Sequence, residues 1–275
     1  MTNSTDLSIL SLKLAAVGGG AMGSALLRGI LHAQLHTPQV VGVSDPDQQR
    51  GTDLADELDI HYLSDNTVAA QAETVLLAIK PQIFPVVSEQ LRPHLTAKLV
   101  ISILAGTSIS QLESAFPGVA IVRAMPNTPA LVGEGMTALS YGARVTDSDR
   151  NEAIALFEAV GRVISVPESQ MDAITALSGS GPGYMSVVVE ALSDGGVKAG
   201  LPRTISTELA VQTMLGSARL LQQENLHPAI LKDRVTSPGG TTIAGIAELE
   251  RHCLRAALID AVQAAKQRSE ELRAN

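Results

Sequence analysis

Tryptophan is absent from this 275-residue chain, and only three Tyr and three Phe supply aromatic rings. Bases therefore find no stacking platforms. With 20 Lys+Arg against 28 Asp+Glu the formal charge is −8, so phosphate backbones find no basic field either. Nucleic acid is excluded as the main partner. Cysteine is nearly missing too. Cys253 stands alone, which excludes a disulfide framework and a thiolate zinc site and suits a reducing compartment. No metal site is expected. Lys or Gly interrupts every apolar run well short of the ~18–20 residues that span a bilayer. Residues 1–11 carry Asp6 and no basic stretch, so they read as a frayed Ser/Thr-rich tail and not a secretory signal. The expected location is the cytoplasm, with no membrane partner.

What is abundant is aliphatic. Apolar residues make up 45% of the chain, ample for a core and incompatible with disorder. The length suits one large domain or two ordinary ones, at ~100–200 residues each. Up to about residue 165, near-continuous apolar runs at 12–17, 40–43, 74–79, 99–103 and 120–124 alternate with helical stretches at 21–36, 46–58, 82–92 and 109–116. Runs without polar alternation read as strands buried on both faces, and strand–helix alternation implies βαβ units in a parallel sheet. Weaker strands at 136–141 and 162–166 would close it. Asp45-Pro46 reads as an N-cap followed by an N1 proline, and Ser108 or Ser110 as a later cap. From 166 to 275 the texture is helical, with long segments at 181–199, 203–224 and 254–272. The fold expected is α/β: a Rossmann-type parallel-sheet domain over 1–165 and an all-α domain over 166–275. Apolar stripes rich in Ala and Gly on the latter predict dimerisation through these helices.

The sharpest local motif is Gly18-Gly19-Gly20-Ala21-Met22-Gly23, between the first strand and a helix. Gly18, Gly20 and Gly23 fit the dinucleotide fingerprint. The first glycine makes the turn, the second admits the pyrophosphate, and the third lets helix and strand pack, with the helix N-terminus facing the phosphates. Ser44 and Asp45 follow the second strand, about 20 residues past the turn. An acid there accepts from the adenosine ribose and favours NAD. Alternatively Asp45 only caps a helix, while Ser44 and the nearby Arg50 suit a 2′-phosphate. The residues leave NADPH and NADH both open. Asn66, Ala78-Ile79-Lys80-Pro81, Ala105-Gly106-Thr107 and the stretch from Arg123 to Pro129 sit at further strand ends, where open α/β sheets bind ligands. In the helical half, residues 176–184 (ALSGSGPGY) form a break feeding a helix from Pro182. Ser237-Pro238-Gly239-Gly240-Thr241-Thr242 joins backbone amides, hydroxyls and a helix start into a site for a small carboxylate. A glycine-rich connector with a Thr N-cap is the blander reading of the same residues.

These motifs together resemble the pyrroline-5-carboxylate reductases, from about Lys13 to Leu272. The most specific stretch is residues 231–245 (LKDRVTSPGGTTIAG), supported by Leu177–Tyr184, Glu190-Ala191-Leu192, Gly195–Lys198, Lys80-Pro81 and Met125-Pro126-Asn127. The resemblance implies an N-terminal Rossmann domain and a helical dimerisation domain, dimers that assemble into larger rings, and a substrate site at the dimer interface. It implies hydride transfer from NAD(P)H to 1-pyrroline-5-carboxylate, giving L-proline in the last step of proline biosynthesis. By resemblance Thr242 is the catalytic contact near the imine nitrogen. Gly240 and Thr241 hold the carboxylate, Glu168 meets the ring nitrogen, and Arg234 meets the cofactor. Two departures stand out. Asp45 replaces the Ser or other neutral residue frequent in NADPH-preferring relatives, and Gly23 replaces an Ala, a change expected to be harmless to packing.

Two other functions compete. The β-hydroxyacid dehydrogenases share the glycine opening and a helical second domain, but resemble one another in a lysine soon after a Gly-rich segment. Residues 184–190 (YMSVVVE) contain none, which counts against alcohol oxidation with its need for a proton acceptor. A non-catalytic dinucleotide-binding protein is the other, and the carboxylate site at 237–242 counts against it.

Overall fold

A computed structural model describes residues 11–274; the tail expected at the N-terminus lies, but for Ser11, outside the described residues. Eight strands form one sheet: β1 (Leu14–Val17), β2 (Val41–Ser44), β3 (His61–Tyr62), β4 (Thr74–Leu77), β5 (Leu99–Ser102), β6 (Ala120–Met125), β7 (Gly135–Tyr141) and β8 (Gly161–Ser165). Their order is β3-β2-β1-β4-β5-β6-β7-β8. Neighbours from β3 to β6 run parallel, as continuous apolar strands require. The six-strand order 3-2-1-4-5-6 is that of a dinucleotide-binding sheet. β7 returns antiparallel to β6, and β8 is parallel to β7. The reversal follows from the short connection over 126–134, too short for a crossover helix, where Gly133 takes φ +74°. β3 has two residues and carries no periodic signal.

Six helices cover this sheet: α1 (Ala21–His32), α2 (Gln48–Leu58), α3 (Asn66–Ala69), α4 (Phe84–Leu91), α5 (Ile109–Ala115) and α6 (Asp147–Glu158). Successive strand residues face opposite sides. Leu14 and Ala16 join Val41, Val43, Leu99 and Ile101 under α1, α2 and α6. Ala15 and Val17 join Val75, Leu77, Val100 and Ile121 under α3, α4 and α5. Each such Leu, Val or Ile is worth about 1.5–3 kcal/mol over exposure. Phe116 and Phe157 are the ring-bearing members. α6 was not expected from the apolar pattern, although Thr146 and Asp149 form a reciprocal capping box at its start. Ser108, one of the two expected caps, forms the other box with Gln111.

The remaining helices are α7 (Met171–Ile174), α8 (Gly181–Lys198), α9 (Arg203–Gln223), α10 (Pro228–Arg234), α11 (Thr241–Arg251) and α12 (Leu254–Ala274). The chain forms two compact units. One runs to Gly179 and takes back the chain from Ala265; the other is Ser180–Ala264. The helical texture expected from residue 166 begins after β8, and part of it belongs to the first unit for a physical reason. Asp172 on α7, 3% exposed, accepts Ser269 Oγ at 2.8 Å and Arg273 Nη1 at 3.1 Å, tying the end of α12 to the sheet-bearing unit. Within the second unit, Ser206 Oγ on α9 donates to the Ser193 carbonyl on α8 at 2.6 Å. Arg203 Nη1 donates to Ser193 Oγ at 2.9 Å. A methyl on Gly196 would overlap Ser206 Oγ, so these helices approach closely at a glycine. Leu192, Leu209, Val211, Ile243, Leu249 and Ile259 remain exposed. Among the described residues no helix is long and apolar enough to cross a membrane.

Candidate functional site

Gly18, at φ +107°, turns the chain from β1 toward α1, and its amide donates to the Ser44 carbonyl at 2.7 Å. A methyl here would overlap the Ala78 carbonyl oxygen at the end of β4. One on Gly23 would overlap the Gly18 carbonyl oxygen, so this glycine is required for packing in this chain. Glycine in place of the alanine of many relatives is thus compatible with close packing here, as expected. Gly20 differs. It caps α1 in extended backbone (φ −66°, ψ −177°), and a methyl on it would meet nothing within 4 Å. Neither a side-chain cap nor a first-turn acid occupies the free amides at the start of α1, near Ala21 and Met22. The turn thus leaves open space beside unpartnered helix-start amides, a fit for a pyrophosphate.

Asp45 does not cap α2. The N-cap is Asp47, whose side chain accepts from the Arg50 amide, because the helix begins two residues later than Pro46. Instead Asp45, 6% exposed, reaches back to the glycine turn. Its Oδ2 accepts the Gly19 amide at 2.8 Å and Arg50 Nε at 3.1 Å. Oδ1 accepts the Asp47 amide at 2.8 Å and Arg50 Nη2 at 2.6 Å. Burial pushes this carboxyl up, but the Arg50 fork and the two amides together hold it below its usual value.

On the other side of Asp45, Ser44 Oγ donates to Asn66 Oδ1 at 2.7 Å, and Asn66 Nδ2 donates to Gln90 Oε1 at 2.7 Å. Asn66 is the first residue of α3, capped by Asp65. Gly18, Ser44, Asp45, Asn66, Ile79 and Gln82 help line a cavity of about 790 Å³ at the carboxyl edge of the sheet. Ala78, Lys80 and Pro81 follow β4, and Ala105 follows β5. They share that edge without lining the cavity.

Two residues of the stretch from Arg123 to Pro129 find partners that the sequence did not indicate. Arg123, 2% exposed in β6, donates through Nη1 to Glu168 Oε1 at 2.9 Å, and the same oxygen accepts the Ile109 amide at 2.7 Å. Glu168 is therefore a held carboxylate and not a solvated helix-start acid. The signal available was a charge inside an otherwise apolar strand. Asn127 joins two motifs. It accepts the Met136 amide at 2.8 Å and donates to the Ser178 carbonyl at 3.2 Å. Residues 175–179 form one widened helical turn, and the α-helical donor for Ser178 would be residue 182, a proline without N–H. The Asn127 amide supplies that missing donor.

In the second unit Gly239 takes φ +67°, and the Gly240 amide donates to the Ser237 carbonyl at 3.0 Å. Gly240 is the N-cap of α11 in extended backbone, with no side-chain cap and no first-turn acid. Thr241 and Thr242 are its first two helical residues, so neither is the expected Thr N-cap. A helix of 11 residues thus starts on free amides beside two hydroxyls, which suits an anion. Arg234, the last residue of α10, pairs with Glu224 at 2.8 Å. Among the described residues no three of His, Cys, Asp and Glu gather to hold a metal ion.

Residues 168–272 match the family model described as pyrroline-5-carboxylate reductase dimerisation. Residues 13–106 match that described as NADP oxidoreductase, coenzyme F420-dependent. The chain is 47% identical to a pyrroline-5-carboxylate reductase of Synechocystis, over 96% of this chain and 99% of the relative. It belongs to the pyrroline-5-carboxylate reductase family. A family member from Methanosarcina acetivorans is 43% identical over 94% of this chain and 97% of its own. Among solved family structures, the Coxiella burnetii enzyme aligns with TM-score 0.89 and 35% identity, covering 95% of this chain and 98% of that one. The Plasmodium falciparum enzyme, solved with NADP bound, aligns with TM-score 0.86 and 34% identity, covering 96% and 99%.

Proposed function

We infer that this protein reduces 1-pyrroline-5-carboxylate to L-proline with NAD(P)H, the last step of proline biosynthesis. One observation carries this: identity of 47% to a pyrroline-5-carboxylate reductase along essentially the whole of both chains. The reduced nicotinamide supplies the hydride when bound. The cyclic imine is most electrophilic when protonated, so the protein's work is to anchor the carboxylate, aim the ring and exclude water. Positioning and fixed dipoles supply most of such an acceleration. The open space at Gly20 and the free amides of α1 support the turn from Gly18 to Gly23 as the pyrophosphate cradle. Ser44, Asp45 and Asn66 stand at the adenosine side, and Ala78, Lys80, Pro81 and Ala105 on the edge that continues toward the nicotinamide. Arg234 is a further cofactor contact. Gly240 and Thr241 hold the substrate carboxylate through the helix-start amides. Thr242 donates or accepts at the ring nitrogen. Glu168, by the family resemblance, is a substrate contact whose carboxylate Arg123 orients.

The working form is a homodimer through the C-terminal helices, with rings of dimers as the larger assembly. The exposed Leu, Val and Ile on α8, α9, α11 and α12 support it, because a helical unit with so little buried needs a partner for its apolar faces. The exposed free thiol of Cys253 supports a reducing, cytoplasmic setting.

The deciding assay follows loss of reduced-nicotinamide absorbance with 1-pyrroline-5-carboxylate as substrate and proline as the identified product. Absence of turnover with both NADH and NADPH overturns the reading. Thr242→Ala should lower turnover with cofactor affinity nearly unchanged; an undiminished rate removes Thr242 from the mechanism. Sedimentation as a monomer would refute the dimer.

A further inference from the structure

An acid after the second strand of such a sheet ordinarily accepts from the adenosine ribose and repels a 2′-phosphate. Here that role is closed off. A carboxylate offers about four lone-pair positions, and Asp45 has filled them with the Gly19 and Asp47 amides and the Nε and Nη2 of Arg50. A ribose hydroxyl finds no acceptor free on it. Its charge is matched by a bidentate guanidinium, the strongest pairing available to a carboxylate.

The guanidinium is in the opposite condition. The Arg50 side chain is 48% exposed while Asp45 is almost fully covered. A guanidinium has five N–H donors, and Asp45 takes two. The nearest other acid, Asp47, approaches Nη1 only at 3.5 Å. Arg50 opens with Gly19 and Ala21 onto one cavity of about 500 Å³, which Arg28, Asp47 and Asp53 also line. Arg28 is engaged there with Glu57 through Nε at 2.7 Å and Nη2 at 2.8 Å. Arg50 is thus the cation at the glycine turn that keeps donors to give. In a dinucleotide the adenosine ribose is bonded directly to the pyrophosphate, so a 2′-phosphate must lie near the groups flanking that turn.

We propose that Arg50 is the residue through which this chain accepts the 2′-phosphorylated dinucleotide, with Asp45 serving to hold Arg50 and not to bind ribose. The proposal rests on the reductase reading above and adds the determinant of cofactor choice. It accounts for an acid at a position where NADP use would otherwise be disfavoured: the acid is built into the arginine's mount.

The test is direct binding of NADPH and NADH, read by the change in nicotinamide fluorescence without substrate, to the parent protein, Arg50→Met and Arg50→Lys. Loss of charge-assisted contacts should raise the NADPH dissociation constant of Arg50→Met roughly tenfold to a hundredfold, with NADH changed by less than about twofold. Arg50→Lys, which keeps the charge and loses the fork, should fall between parent and Arg50→Met for NADPH. If Arg50→Met weakens both cofactors equally, or neither, Arg50 is not the determinant while the reductase reading stands. A parent protein that binds neither cofactor overturns that reading and this proposal together.

Discussion

Truncating Glu168 to Ala should destabilise the protein more than an exposed acid at the start of a 3₁₀ turn has any right to. One oxygen of Glu168 carries both the Arg123 guanidinium at 2.9 Å and the Ile109 amide at 2.7 Å. The two side chains differ in exposure, 3% for Arg123 and 31% for Glu168. Removing one partner of a fully buried pair costs about 3–5 kcal/mol, mostly for the stranded charge. Here water can reach the guanidinium through the space Glu168 vacates, so the expected loss is about 2–3 kcal/mol. Adding Arg123→Met to Glu168→Ala removes the stranded charge and should recover a large part of that loss. Glu168→Gln, which can still accept from both donors, should cost about 1 kcal/mol. Urea midpoints for the four proteins at one fixed protein concentration give the comparison. A Glu168→Ala protein within about 0.5 kcal/mol of the parent, or a double variant no better than the single, would show that Arg123 does not depend on Glu168.

The second and third glycines of the fingerprint should separate stability from binding. Gly20→Ala, facing open space, should unfold within about 1 kcal/mol of the parent but bind NAD(P)H at least about tenfold more weakly. Gly23→Ala, whose methyl meets the Gly18 carbonyl, should lose about 1–3 kcal/mol of stability; thermal melts beside fluorescence titrations decide, and matching behaviour of the two variants refutes the assignment. Asn127→Ala leaves the Ser178 carbonyl without its donor, for a loss of about 1–3 kcal/mol; an unchanged urea midpoint would mean that water replaces the amide. The lowered pKa of Asp45 makes its contribution fully present above the ordinary value of 3.8, and lost as pH falls through the lower folded value. The parent should therefore lose stability on acidification more steeply than Asp45→Asn; parallel acid limbs in urea midpoints against pH would refute this.

Much of the first unit was legible because its code is local. Unalternated aliphatic runs gave β1, β2, β4, β5 and β6 to within a few residues, since strands covered on both faces need no polar alternation. The glycine turn was legible for the same reason, as a backbone requirement written into consecutive residues. What was misread depended on partners distant in the chain. Asp45 reads either as a ribose acceptor or as a helix cap beside Pro46, yet its carboxylate is taken by Gly19, 26 positions away, and by Arg50. That Gly23 admits no methyl was likewise unseen, because the clash is with a carbonyl across the turn. The short strand β3 and the helix α6 carried too little apolar periodicity to be seen.

By itself the sequence determined the alternating α/β half, the helical half, the two glycine-bearing turns and the family to which the chain belongs. Each of these is set by residue type and spacing along a few turns of backbone. Only the tertiary structure decided that β7 reverses, that the end of α12 is pinned through Asp172 to the sheet-bearing unit, that Arg123 orients Glu168, and that Arg50 occupies Asp45. Those outcomes concern which buried charges and carbonyls find one another. A charged or polar group removed from water must be matched by a donor or acceptor, and the matching partner is chosen by packing in space and not by position in the chain.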